Sequence, residues 1–151
     1  RLMVLERRGT SRALREAGGP ALERVAWGEP VPMPVAEGEL LRAAVTIRLS
    51  LWGKLTTLLL RSPPVRLKVR FVDGASASYR FLPSTAENGV VLSHLPRNRD
   101  EALAFWRALD HRGLAFPAPV ESFSFETDHG LTYASGVELS WRRVRRMAGA
   151  D

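Results

Sequence analysis

From residue 40 the chain alternates between apolar and polar side chains. Val45, Ile47, Leu49 and Leu51 are interleaved with Thr46, Arg48 and Ser50, which predicts a half-buried strand. Leu55 to Leu60 is a second apolar run of less distinct phase, ended by Ser62-Pro63-Pro64. Val65, Leu67, Val69 and Phe71 then alternate with Arg66, Lys68 and Arg70, the cleanest strand pattern in the chain. Asp73-Gly74 predicts a hairpin turn, since both residue types tolerate positive φ. The returning strand carries Tyr79 and Phe81 on one face, Ser78 and Arg80 on the other. Asn88-Gly89 predicts another turn, and Val90 to Leu95 a short strand. Phe123 and Phe125 alternate with Ser122, Ser124 and Glu126. Asp128-His129-Gly130 turns the chain, and Val137, Leu139 and Trp141 define a last strand.

One segment changes period. From Arg99 to about His111, Ala102, Phe105, Trp106 and Leu109 recur at helical spacing. Asn98 caps this helix, Glu101 completes a capping box, and Gly113 ends it. Earlier, Leu2 to Leu5 is a short strand or the tail of a preceding element, followed by a charged stretch with Arg7, Arg8, Arg12 and Arg15. Gly18-Gly19-Pro20 excludes a helix there. Pro30, Pro32 and Pro34 lack amide donors, so residues 29–38 read as a loop or sheet edge. Six to eight short strands with one helix between late strands predict a mainly β fold, an antiparallel β-sandwich. The division expected is 1–28 as an N-terminal extension or first elements, 29–146 as the sandwich and 147–151 as a tail. A chain that opens at Arg1 is expected to be a segment of a longer or processed protein.

Composition narrows the chemistry. Lys and Arg total 22 against 16 acidic residues, a net charge of +6, and the only lysines are Lys54 and Lys68. There is no cysteine, hence no disulfide, thiolate metal site or cysteine nucleophile. The longest apolar stretch, Leu40 to Leu60, contains Arg42, Arg48 and Lys54 and is not expected to span a bilayer. His94, His111 and His129 lie too far apart in sequence for a helix-face or hairpin metal pair, so no metal site and no cofactor are expected. Neighbouring strand residues face opposite ways, so Ser93 is not expected to be activated by His94. Glu37 and Glu39 read as solvated surface. No nucleophile elbow or phosphate-binding glycine loop occurs, and catalysis within this segment is not expected.

The arginines point to two partner classes. Arg66, Lys68 and Arg70 share a strand face, and Arg142, Arg143, Arg145 and Arg146 cluster near the end of the chain. A basic module that binds nucleic acid would use such groups, and the terminal cluster would equally suit anionic lipid or the membrane portion of a parent protein. The strong preference for arginine, with abundant Ala, Gly and Pro, is more simply read as a GC-rich code. Of the four tryptophans, Trp106 and Trp141 fit the core by periodicity. Trp27 and Trp52, each beside a glycine, are the better candidates for exposure, with core packing still the favoured reading for them.

The segment YRFLPSTAENGVVLSHL at residues 79–95, with SPPVRLKVRFVDG before it and SFSFETDHGLTYASGVELSW after it, resembles the C-terminal β-sandwich domain of certain bacterial polytopic membrane proteins, themselves similar to glycosyltransferases that use lipid-linked sugars. The resemblance covers about residues 38–144. It implies a non-catalytic accessory domain, similar to a jelly-roll carbohydrate-binding module, on the periplasmic or outer face of a membrane. It also implies that the domain binds a glycan or packs on the membrane portion of its parent. Of the residues in the shared motif, Arg80, Asn88 and His94 are the polar ones able to meet a ligand, and Trp52 is the candidate stacking platform. A basic nucleic-acid-binding module is the alternative function.

Overall fold

The computed structural model describes residues 14–34, 40–57, 62–110 and 115–146. The readings that fall on Leu2 to Leu5, Arg7, Arg8, Arg12, Glu37, Glu39, Leu58 to Leu60, His111, Gly113 and the segment 147–151 lie outside them.

Among the described residues, eight strands form two four-stranded antiparallel sheets. They are β1 (Leu14–Val25), β2 (Val31–Pro32), β3 (Leu40–Leu49), β4 (Val65–Phe71), β5 (Ser76–Phe81), β6 (Val90–Val91), β7 (Val120–Thr127) and β8 (Tyr133–Arg146). One sheet has the order β1-β8-β3-β6 and the other β2-β7-β4-β5. β1 pairs with β8, β2 with β7, β3 with β6 and β4 with β5, so the chain is one long antiparallel ribbon folded back at its middle. Pairing of β3 with β8 and β4 with β7 rolls that ribbon into two layers, the antiparallel sandwich expected from the alternation in the jelly-roll form that the resemblance implied.

The tip of the ribbon is the Asp73-Gly74 turn. Asp73 Oδ1 accepts the Ala75 amide (3.0 Å) and the Gly74 amide donates to Phe71 O (2.9 Å). Only Gly74 takes positive φ, at 83°; Asp73 contributes its carboxylate rather than an unusual backbone angle.

The core lies between the layers. Leu41, Ala43, Val45, Val137, Leu139 and Trp141 come from one sheet, and Val65, Leu67, Val69, Phe71, Phe123 and Phe125 from the other. β4 is buried at every second residue, the period-two rule expressed without exception. Phe123 touches both Phe125 and Trp141, its ring centroid 5.7 and 5.9 Å away, the second contact bridging the sheets. Pro32 sits on an edge strand, where its missing amide costs no ladder bond.

Several local expectations change. Residues 14–25 form β1, which pairs along β8 with an irregularity between Ala17 and Ala21. Leu51 does not continue the β3 face. It opens helix α1 (Leu51–Thr57) and is 86% exposed. A one-turn helix, α2 (Pro83–Ala86), precedes the Asn88-Gly89 turn, and β6 is shorter than the Val90–Leu95 strand predicted.

The late helix α3 runs over Arg99–Asp110, with Asn98 Oδ1 accepting the Glu101 amide at 2.9 Å. The reciprocal bond of the capping box is displaced by one residue, since the Glu101 carboxylate accepts from the Arg97 amide (2.8 Å). The helix is rotated from the predicted face. Ala108 is its fully buried residue, and Trp106, expected in the core, is 51% exposed. Trp27, a candidate for exposure for which core packing is the favoured reading, is half-buried; its indole donates to Ala134 O (2.7 Å) and its ring leans on Tyr133.

Candidate functional site

The alternation that buries β4 also builds an ordered outer face on its sheet. The register sets three rows across β5, β4 and β7: Ser76, Arg70 and Ser122; Ser78, Lys68 and Ser124; Arg80, Arg66 and Glu126. The cations of the central strand are held by carboxylates from the β7 side. Arg70 Nε lies 3.0 Å from Glu121, Lys68 Nζ 2.8 Å from Glu126, and Arg66 3.0 Å from Asp128. Exposed pairs of this kind contribute at most about 1 kcal/mol each to stability. Their larger effect is on the face, where each of these three charges is balanced beside it and the long side chains are held in place.

Between the ion pairs the strands offer serine hydroxyls. A shallow depression of about 470 Å³ is lined by Pro30, Lys68, Arg70, Ser76, Ser78, Ser122 and Ser124 among others. A second, of about 610 Å³, lies at the end of the same sheet between Ser62-Pro63-Pro64, Arg66, Ser78, Tyr79 and Arg80. Hydroxyls donate and accept, guanidinium and ammonium groups donate, and carboxylates accept. The face therefore suits a ligand rich in hydroxyl groups, presented on strands that do not have to move.

The four residues singled out in the sequence do not form one cluster. Arg80 is exposed on this face, at the β4 start and β5 end. Trp52 lies at the same end of the sandwich but on α1, beside the turn that joins β7 to β8. Asn88 is at the other sheet, where its carbonyl accepts from the Arg42 guanidinium next to β6. His94 is half-buried between a bridge to Pro119 and the Phe116 ring. Of the depression-lining residues, Lys68 and Arg70 are legible in the sequence only as a basic strand face, and Ser76, Ser122 and Ser124 are not among its candidates. Their signal was present: serines at every outward position of SAS and SFS, on the two strands that flank β4.

Ser93 and His94 require a correction. His94 Nδ1 lies 3.0 Å from Ser93 Oγ, because the chain leaves the strand after Val91 and the alternation rule no longer applies. Ser93 is only 6% exposed, and its Oγ already accepts the Leu41 amide at 3.0 Å. Burial holds the His94 ring below the usual histidine range, so it is neutral at pH 7. The pair ties the β6 side of the fold to β3, and its hydroxyl has no open approach for a substrate carbonyl.

Two basic features acquire positions. Arg142 and Arg143 are exposed on β8 while it is paired to both β1 and β3, so the terminal run is strand through Arg146. Arg97 bridges the ribbon tip and α3: it bonds Asp73 (2.5 Å) and Glu101 (2.6 Å) and lies over the Phe71 ring. The Ala75 amide and then Arg97 hold the Asp73 carboxyl below its ordinary value, and Arg97 does the same for Glu101.

Among the described residues no group of three histidine or acidic side chains converges as a metal site, and no helix is long and apolar enough to cross a membrane. No protein-family model, curated protein or solved structure matches the chain.

Proposed function

We propose that this chain is a non-catalytic accessory β-sandwich of a larger bacterial envelope protein, and that the outer face of the β2-β7-β4-β5 sheet takes a glycan. The observation that carries the reading is the register of that face: serine hydroxyls alternate with ion-paired Lys68 and Arg70 across three rigid strands. Sugar recognition needs many directional donors and acceptors at fixed positions, and strands hold them better than loops do. Charge balance favours a neutral or weakly acidic saccharide over a polyphosphate, because a phosphate contact to Arg66, Lys68 or Arg70 would have to displace a carboxylate already bound. The extracytoplasmic location and membrane-bound parent implied by the sequence resemblance belong to the same proposal.

Calorimetric titration with envelope saccharides, guided by a glycan array, tests it. Binding is expected, weakened about 10-fold or more by Lys68→Ala with Ser124→Ala, since each lost hydrogen bond from a charged donor is worth about 1.5–3 kcal/mol. No binding to any envelope saccharide would reduce the domain to one that packs on its parent. Steeply salt-dependent binding to DNA or RNA would replace the proposal with the nucleic-acid reading.

A further inference from the structure

The end of the sandwich where β3 stops and β8 begins carries an apolar surface that the fold has gone to some length to fix. The Ser50 amide donates to Thr132 O (3.0 Å), Ser50 Oγ donates to Leu131 O (2.5 Å), and the Gly53 amide donates to Ser50 Oγ (2.9 Å). Gly53 lies so close to the β7–β8 turn that a Cβ there would sit 1.8 Å from Thr132 O. These contacts hold Leu131 beside the first turn of α1. Leu51 and Leu55, four residues apart, share a helix face, and Trp52 is next to it. All four side chains face solvent: Leu51 is 86% exposed, Trp52 59%, Leu55 57% and Leu131 81%. Single exposed leucines need no explanation, but four large apolar residues gathered from two segments form a patch.

The charge around the patch is net positive. α1 has no acidic residue, and its single charge, Lys54, has no carboxylate partner among the described residues. Arg66 and Arg80 stand at the same end of the neighbouring sheet, and Asp128, the acidic residue of the adjoining turn, is bound to Arg66. A second copy would have to present a matching surface, and pairing this patch with itself would bring the positive charges of Lys54 and Arg80 from both copies together. A bilayer demands no such matching surface, and leucine and tryptophan flanked by lysine are the residues that interfacial segments use.

We propose that this end of the sandwich docks on a lipid surface bearing anionic head groups. Leu51, Leu55 and Leu131 enter the acyl boundary, Trp52 lies at head-group level, and Lys54 faces the anionic groups. β8 runs from Tyr133, next to the patch, to Arg146 at the far end, about 40 Å away for a strand of that length. Docked this way, the end of β8 that carries Arg142 to Arg146 lies away from the bilayer. The proposal does not depend on glycan binding, which the saccharide titration tests separately.

The experiment is co-sedimentation of the 151-residue chain with vesicles of phosphatidylcholine alone and of phosphatidylcholine mixed with phosphatidylglycerol. Binding is expected to the mixed vesicles and about 10-fold less to the neutral ones. Leu51→Ser with Leu131→Ser, both at positions too exposed to affect folding, is expected to lower binding about 10-fold or more. Trp106→Ser, an exposed aromatic on α3, is expected to leave it unchanged. Tryptophan emission is expected to shift to the blue on the mixed vesicles, and Trp52→Phe to abolish that shift. Absence of binding to the mixed vesicles at low salt overturns the proposal, and so does undiminished binding of the double variant. A concentration-dependent dimer that the double variant dissolves also overturns it, in favour of self-association.

Discussion

Gly53→Ala separates two ways of thinking about the same residue. By helix propensity alone, alanine in α1 is worth about 1 kcal/mol over glycine. The tertiary structure reverses the sign. The new Cβ would lie 1.8 Å from Thr132 O, about 1.6 Å short of ordinary contact, which begins near 3.4 Å. The obstacle is backbone, so it has no rotamer to change. Moving it by that much breaks the 3.0 Å bond from the Ser50 amide and the 2.5 Å bond from Ser50 Oγ to the same turn. Two hydrogen bonds at about 1 kcal/mol each and an overpacking cost of about 1–3 kcal/mol outweigh the propensity gain. The expected net loss is about 2–4 kcal/mol, a lowering of Tm by roughly 4–16 °C for a domain of this size. Urea unfolding followed by tryptophan fluorescence measures it, with Gly130→Ala as the control. A Cβ at Gly130 meets nothing within 4 Å and is expected to change stability by no more than about 0.5 kcal/mol. A Gly53→Ala protein as stable as the parent would show that α1 does not sit against Thr132, and the apolar patch would lose its basis.

Three further outcomes follow from the core and the titrating groups. Phe125 is 1% exposed and packs on Phe81 and Phe123, so Phe125→Ala is expected to cost about 3–5 kcal/mol in urea unfolding; a loss below about 1 kcal/mol would contradict its central place. Asp73 and Glu101 titrate below their ordinary 3.8 and 4.5 in the folded protein, so their stabilisation is complete above those values and is lost as pH falls through the lower folded ones. Arg97→Met is expected to flatten the Glu101 part of that acid limb in a series of urea midpoints against pH, and an unchanged limb would refute the bridge. His94 titrates below its ordinary 6.5 when folded, so the unfolded chain takes up a proton first and stability falls as pH drops below about 6.5, levelling beneath the folded value. His94→Asn is expected to remove that share of the slope, which the same midpoints would reveal.

The legible parts of the molecule were those where a short-range rule acts alone. β4 declared itself because every residue of VRLKVRF obeys one parity, and the structure buries it at that parity. Asn98 declared the start of α3, since a cap depends only on residues three positions apart. Where a second layer decides, local reading failed. Trp106 belongs to an apolar helical stripe, yet α3 turns Ala108 inward and leaves the tryptophan 51% exposed. Ser93 and His94 were assigned opposite faces by a strand rule that stops two residues earlier. The serine rows were visible as SAS and SFS, but nothing in either segment reveals that β4 lies between them.

By itself, then, the sequence determined which residues alternate, where the ribbon turns, and that two apolar faces must be buried against each other. Alternation and turn chemistry are local, and each residue carries its own share of them. Tertiary structure alone decided how the ribbon rolls: that β8 meets β3, that β7 meets β4, and hence which outward side chains become neighbours. It placed ion-paired Lys68 and Arg70 between two rows of serine, and it set Leu131 against α1 through a glycine too close to Thr132 to be anything else. Both candidate surfaces are made of residues far apart in the chain. Contacts of that kind depend on register between strands, and register is set by the whole core at once.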